Sequence, residues 1–439
     1  MNKNTINDNN YTVSRVPTTM RFPFISVTLV YVGMLTALDQ FMLGAVLGHS
    51  MTLSDAFLSI FFGSLIFGLV TIGLGFAGMH EGLSTSLLTR WCGFGRFGSV
   101  LVGIVIAVSL LGWFGVQNAV FAKGLNYALN DRLGFGWAAA LSGAALTILV
   151  TFGFRALKFS AKLAVPLFSI VIGYISVMTL AGHNIAHLIN TVPMGESMTI
   201  SAGITIVVGG CIVASLITPD LSRYCQNRKH VFWMVISSIV MGEFIVNGLA
   251  ILIARVLNTS DVVTIMAQTA GGIGLLTVIF STLRINDINL YSSSLGIANV
   301  LEGITGRKWR YTGITLAIGI LGTTLSIIGI LDQFVDFLTV LGVLFPPIIG
   351  VMLVDYYILR TSRDLLDATR REGKLPDTLS TPLIGWPAIV SSILGSAVGL
   401  TFDWGVPSLN SLLVASIFYW VINLINGKMQ SLSHHALNK

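Results

Sequence analysis

Long apolar runs alternate with short polar connectors along the whole chain. The runs fall at about 24–48, 56–78, 99–121, 134–153, 160–182, 199–217, 232–255, 270–291, 311–330, 334–358, 383–402 and 409–427. Each approaches the ~20 residues that a helix needs to cross the hydrocarbon of a bilayer. The pattern predicts an all-α polytopic membrane protein with 12 transmembrane helices. Composition agrees, with a hydrophobic fraction of 54% and a charged fraction of 10%. The mean hydropathy is +0.83. A soluble chain of this length would need more charge to cover its surface.

Charge then orients the spans. With the N-terminus inside, 21 of the 25 Lys and Arg fall in inner segments and three (Lys123, Arg132, Arg255) in outer ones. This bias places both termini in the cytoplasm. It also accounts for the net charge of +6 without invoking nucleic acid as a partner. The one basic residue belonging to neither side is Arg284, in the eighth span. Residues 1–23 lack the early apolar run of a signal peptide and read as a cytoplasmic tail. The cysteines, Cys92, Cys211 and Cys225, have no metal-ligand spacing. The glycine-rich GFGRFG at 93–98 lacks the lysine and Ser/Thr of a phosphate loop and reads as a tight inner turn. No histidine falls at mid-depth, so no catalytic cluster, metal or cofactor is expected. A secondary transporter is favoured over an enzyme, and over a channel, which needs a continuous polar lining.

Secondary transporters hold substrate at mid-membrane, against interrupted helices. Two spans suit. Span 1 has Gly33, Gly44 and Gly48 around the polar pair Asp39–Gln40, and span 6 contains Gly209–Gly210 before Pro219. Span 3 sets Trp113 and Gln117 four residues apart, on one helical face. A flat ring with an amide one turn away suits a planar heterocycle: the ring stacks and the amide reads its edge. Span 8 adds Asn286, Asp287 and Asn289. In span 10, Pro346–Pro347 should disturb the backbone, with Asp355 and Arg360 near its inner end.

Several stretches resemble the nucleobase:cation symporter-1 family, most of all its bacterial cytosine permease branch. They include GAVLG at 44–48, GLSTSLLTRWCGFGRFGS at 82–99, GWFGV at 112–116 and TPD at 218–220 with Arg223. NDINLYSSSLGIAN at 286–299, PPIIGVMLVDYYILR at 346–360 and GVPSLN at 405–410 complete the set. The resemblance implies a LeuT-like inverted 5+5 repeat plus two C-terminal helices, with discontinuous helices 1 and 6. It divides the chain into a tail (1–23), a first five-helix repeat (24–182), an external loop (183–198) and a second repeat (199–358). A cytoplasmic connector (359–382), helices 11 and 12 (383–427) and a second tail (428–439) follow. It further implies a monomeric importer of a nucleobase-like ring in a bacterial inner membrane, often driven by sodium.

By position, the resemblance gives Trp113 the stacking role. It sets Gln117 where hydantoin and allantoin carriers place a substrate-binding glutamine, whereas cytosine permeases have theirs at the position of Leu110. Their second stacking aromatic falls on Cys211, beside Gly210, and a nearby serine on Val213. The Asn–Asp pair is kept as Asn286–Asp287. The implied sodium site lies near Gly33 and Ala37 of helix 1 and at Ser281, Arg284 and Ile285 of helix 8. An arginine has no lone pair for a cation, and its charge repels one. Arg284 is therefore expected to stand in for sodium. Its candidate partners are Asp39 across the helix 1–8 interface or Asp287 one turn away. Coupling to a proton through Asp39 or Asp287, or to no ion, replaces coupling to sodium in this reading. The alternatives are a sodium-coupled cytosine symporter and a carrier of allantoin- or hydantoin-like compounds.

Overall fold

The computed structural model describes residues 14–152, 154–183, 188, 191–305, 307, 309–377, 381–402 and 404–437. Most of the expected N-terminal tail, with Lys3, and parts of the 183–198 loop and the 359–382 connector lie outside the described residues. The helices are α1 (Phe24–Leu35), α2 (Leu38–Ser50), α3 (Leu53–Glu81), α4 (Gly95–Ala128), α5 (Phe135–Phe152), α6 (Phe154–Leu180) and α7 (Ile200–Leu216). They continue as α8 (Arg228–Leu257), α9 (Val262–Thr305), α10 (Tyr311–Ile327), α11 (Phe334–Leu359), α12 (Arg363–Arg371), α13 (Trp386–Thr401) and α14 (Pro407–Leu437). Among the described residues α3, α4, α8, α9, α11 and α14 are each long and apolar enough to cross a membrane. The bent pair α1–α2 passes the same test when taken as one span. Outward-facing Leu29, Leu69, Ile170, Val177, Ile320 and Ile393 are all more than half exposed. An apolar exterior of this kind belongs in lipid.

The first span is interrupted as its composition predicts, but not at a glycine. Thr36 (φ −98°, ψ 73°) and Ala37 (φ −144°, ψ 171°) leave the helical region, and the two halves meet at 45°. Asp39 falls in the first turn of α2, where an acidic side chain complements the helix dipole. Gly44 and Gly48 serve packing instead. A Cβ on either would lie 2.5 Å from a backbone oxygen of α8.

The expected break at Gly209–Gly210 does not occur: α7 runs unbroken from Ile200 to Leu216. The chain turns only at Ile217, before the short helix Thr218–Ser222. The reason is close packing. A Cβ on Gly209 would sit 1.9 Å from the carbonyl oxygen of Leu338, so glycine here lets α7 and α11 approach backbone to backbone. Pro346 and Pro347 likewise lie inside a continuous helical stretch, Phe334–Leu353. Packing of α11 against α7 and α14 offsets the hydrogen bonds that the prolines forgo.

Irregular helix appears at places without a sequence expectation. Within α8, Ile239–Val246 form a π-helical segment, and Val354–Leu359 form another at the end of α11. In α9, Gly271 (φ 54°, ψ −134°) kinks the helix, a conformation that any side chain would strain. Beyond the kink, α9 lies along α4 and also touches α2. This contact brings the third, eighth and first spans together.

Candidate substrate site

The interrupted first span frees backbone groups that a continuous helix would pair. One of them is used at once: Arg284 Nη1 donates to the carbonyl oxygen of Gly33 at 2.9 Å. A Cβ at residue 33 would stand 3.3 Å from Nη2, so the guanidinium lies directly over the glycine. Asp39 and Arg284 interact electrostatically. They form no direct ion pair among the described residues, and Asp39 Oδ1 is buried without a hydrogen-bond partner. Arg284 and Asp287, one turn apart, form no ion pair either. Of the acceptors available to the guanidinium, the freed carbonyl is the one it meets. Ala37 is the extended residue before α2, and Ser281 Oγ, one turn before Arg284, is buried and unpartnered.

On α4, the indole of Trp113 is 5% exposed. Phe334 and Phe337 of α11 pack against it edge to face, with centroids 6.2 and 5.3 Å away. These contacts fix the plane of the ring. One turn on, Gln117 is fully buried, and neither its amide oxygen nor its nitrogen has a partner. Across the α4–α9 interface Asn286 is in the same condition, and Asn289 Nδ2 is also unsatisfied. Leaving a buried amide unpaired costs about 1–3 kcal/mol per group. Three of them on two helices in contact leave a set of donors and acceptors without partners in the protein. Asp287 faces elsewhere: it is half-buried and within electrostatic reach of Tyr311 on α10.

In α7, Gly210 lies beside Leu43 of α2. The Cys211 thiol points into a polar cluster absent from the sequence reading. It donates to Glu243 Oε1 and accepts from Gln40 Nε2 at 3.4 Å. Asn247 Nδ2 donates to Glu243 Oε2 at 2.9 Å and to Gln40 Oε1 at 3.1 Å. Glu243 and Asn247 sit inside the seventh apolar run, one turn apart and fully buried. An acidic residue in the middle of such a run was the available signal. An apolar groove of about 730 Å³ between α4, α9 and α10 shares none of these residues; it is lined by Leu111, Ile297, Ile314 and Trp309, among others.

Comparison with known proteins agrees with an all-helical transporter fold. The cytosine permease of Escherichia coli strain K12 is 29% identical over 437 residues, 98% of either chain. The structure is similar to the inward-facing conformation of Mhp1, with a TM-score of 0.76 and 18% identity over 95% of this chain and 94% of that one. It is also similar to Mhp1, described as a nucleobase-cation-symport-1 family transporter, in a closed conformation with bromovinylhydantoin bound. There the TM-score is 0.70, with 19% identity over 93% and 94% of the two chains. Residues 24–421 match the permease family for cytosine/purines, uracil, thiamine and allantoin. This is a multi-pass membrane transporter and not an enzyme: the chain belongs to that permease family.

Proposed function

We propose that this protein imports a nucleobase or a closely related planar heterocycle by alternating access, with the guanidinium of Arg284 in the place where the family resemblance implies a sodium site. The observation that carries the substrate reading is the group of unpartnered, buried amides at Gln117, Asn286 and Asn289. Gln117 lies one turn from an indole held in a fixed plane by two phenyl rings. A ring with donors and acceptors on its edge satisfies those amides and stacks on Trp113. Cytosine permease and hydantoin-bound Mhp1 among the similar proteins support this substrate class. Gly210 completes the proposed contact set, with Cys211 behind it on α7, while Asp287, turned toward Tyr311, stands outside the set.

The coupling reading is supported by the hydrogen bond from Arg284 to Gly33. It ties the broken first span to α9, as a bound cation coordinated by both would. The rest of the proposal is topological. The chain crosses a bacterial inner membrane twelve times, with both termini inside, as a monomer. The runs 24–182 and 199–358 are two inverted five-helix repeats, and the segments 183–198, 359–382 and 383–427 are the external loop, inner connector and two added helices.

The test is uptake into proteoliposomes of a labelled panel: cytosine, uracil, adenine, hypoxanthine, allantoin and hydantoin. External sodium is replaced by choline, with and without a pH gradient. At least one ring should be taken up at the same rate in choline as in sodium. Strong sodium dependence would sink the substitution by Arg284. Absence of uptake and of thermal stabilisation by every ring would sink the substrate class.

A further inference from the structure

We infer that Glu243 is a proton-binding site of the transport cycle, connected through Gln40 to the interrupted first span. The inference rests on the transport reading above and names the coupling ion for it. Glu243 lies near the middle of the 30-residue apolar helix Arg228–Leu257, inside its π-helical segment. Such segments recur at functional sites, because the extra residue per turn re-aims side chains and unsettles the backbone bonding.

The chemistry around Glu243 selects a proton. The residue is fully buried, and its partners are a thiol and an amide. The elements packed against its segment are α1, α2, α3 and the flanking turns of α8. From α1 the titratable group is Tyr31, whose hydroxyl pairs with Thr218. From α2 it is Asp39, an acid within electrostatic reach, with His49 at the far end of the helix. Asp55, His80 and Glu81 lie at the ends of α3, and Arg228, Lys229, His230 and Arg255 at the ends of α8. From α7 comes Cys211. Among the described residues no cation reaches the carboxyl group, and the charge closest in kind is another acid. A dry carboxylate beside a second carboxylate is costly, whereas a carboxylic acid is not.

An independent sign lies one turn away. Asn247 is fully buried, and its Oδ1 is an acceptor without a donor. Its Nδ2 is already committed to Glu243 and Gln40, so its amide oxygen belongs to the same cluster. A proton added to Glu243 gives the Asn247 amide a donor to accept from once that amide turns to present Oδ1, the acceptor left over. Gln40 then carries the state of that proton to α2, directly after the break, three residues from Ala37 and seven from Gly33. The proton comes from water on the outer side and returns to water on the inner side; no other bond changes.

Infrared spectra of reconstituted protein test the site without reference to any substrate. Wild type should show the carbonyl stretch of a protonated carboxyl group, shifted in D2O and absent in Glu243→Gln. Asp39→Asn and Asp287→Asn should retain it. In the transport assay with labelled cytosine or whichever panel ring is carried, an inward proton gradient should concentrate solute in wild type. Glu243→Gln should still exchange labelled for unlabelled solute, with an accumulation ratio of one. Glu243→Asp keeps the acid and should remain gradient-driven, with a displaced pH profile. The inference is overturned if the infrared band survives in Glu243→Gln, if that variant still concentrates solute, or if the Glu243→Asp profile coincides with wild type. If wild type carries no ring in the panel, the substrate reading fails while the infrared band still decides Glu243.

Discussion

At the scale of single residues, the informative side chains are those whose hydrogen-bonding needs the fold leaves unmet. Gln117 and Asn286 are fully buried amides with four unpartnered atoms between them. Replacing either by alanine should weaken binding of the transported ring about tenfold, the loss of roughly 1.4 kcal/mol. It should do so without lowering the stability of the empty protein, because no internal bond is removed. Isothermal titration paired with thermal unfolding separates the two effects. Arg284 is the opposite case, a partly buried charge that has found an acceptor. Arg284→Ala should abolish uptake by uncoupling α9 from the first span. Arg284→Lys should restore it only in part, because an ammonium lacks the planar fork of the guanidinium. Initial rates of uptake at matched protein levels measure both.

At the scale of elements, glycine does two jobs here that look alike in sequence. Gly209 allows close approach of two helices, and Gly271 allows a positive φ. Gly209→Ala should destabilise by about 1–3 kcal/mol through forced separation of α7 and α11. Gly271→Ala faces open space, and should cost only the backbone strain of about 1 kcal/mol. Unfolding temperatures of the two variants should fall in that order; equal losses would refute the distinction. The break in the first span uses neither device. It is placed at Thr36–Ala37, where an acidic residue opens the next helix and α8 packs closely on α2.

At the scale of the whole molecule, one ion cluster around buried Glu81 ties together one end of the helix bundle. Glu81, at the end of α3, accepts from Arg15 Nη1 at 2.9 Å, Arg370 Nη1 at 2.8 Å and Tyr356 OH at 2.8 Å. Arg15 also donates to the backbone of Leu366 and Lys374. The N-terminal segment, α3, α11 and α12 are thereby joined at one carboxylate. Glu81→Gln should cost about 3–5 kcal/mol, because it leaves the buried guanidinium of Arg15 without its counter-charge. It should also make the peptide bonds around Arg15 more open to protease. Limited proteolysis and thermal unfolding read out both, and an unchanged digestion pattern would show that the segment is held by other means.

Sequence alone determined the class of this protein. The apolar runs exceed what a soluble surface tolerates, so helices in lipid follow from the cost of exposing them to water. The odd position of Arg284 also followed from counting charges, and the broken first span from polar residues that lipid would not accept. These are properties of one residue or one segment against its solvent. What only the tertiary structure decided are pairings between segments distant in the chain. Gly209 reads as a break until Leu338 is seen against it. Arg284 has two acidic partners on paper and meets the Gly33 carbonyl in space. Glu243 is an isolated acid in the sequence, and only packing brings Cys211, Asn247 and Gln40 around it. Short-range polarity and hydrophobicity are written residue by residue, whereas the partner of a buried group depends on which helices lie side by side.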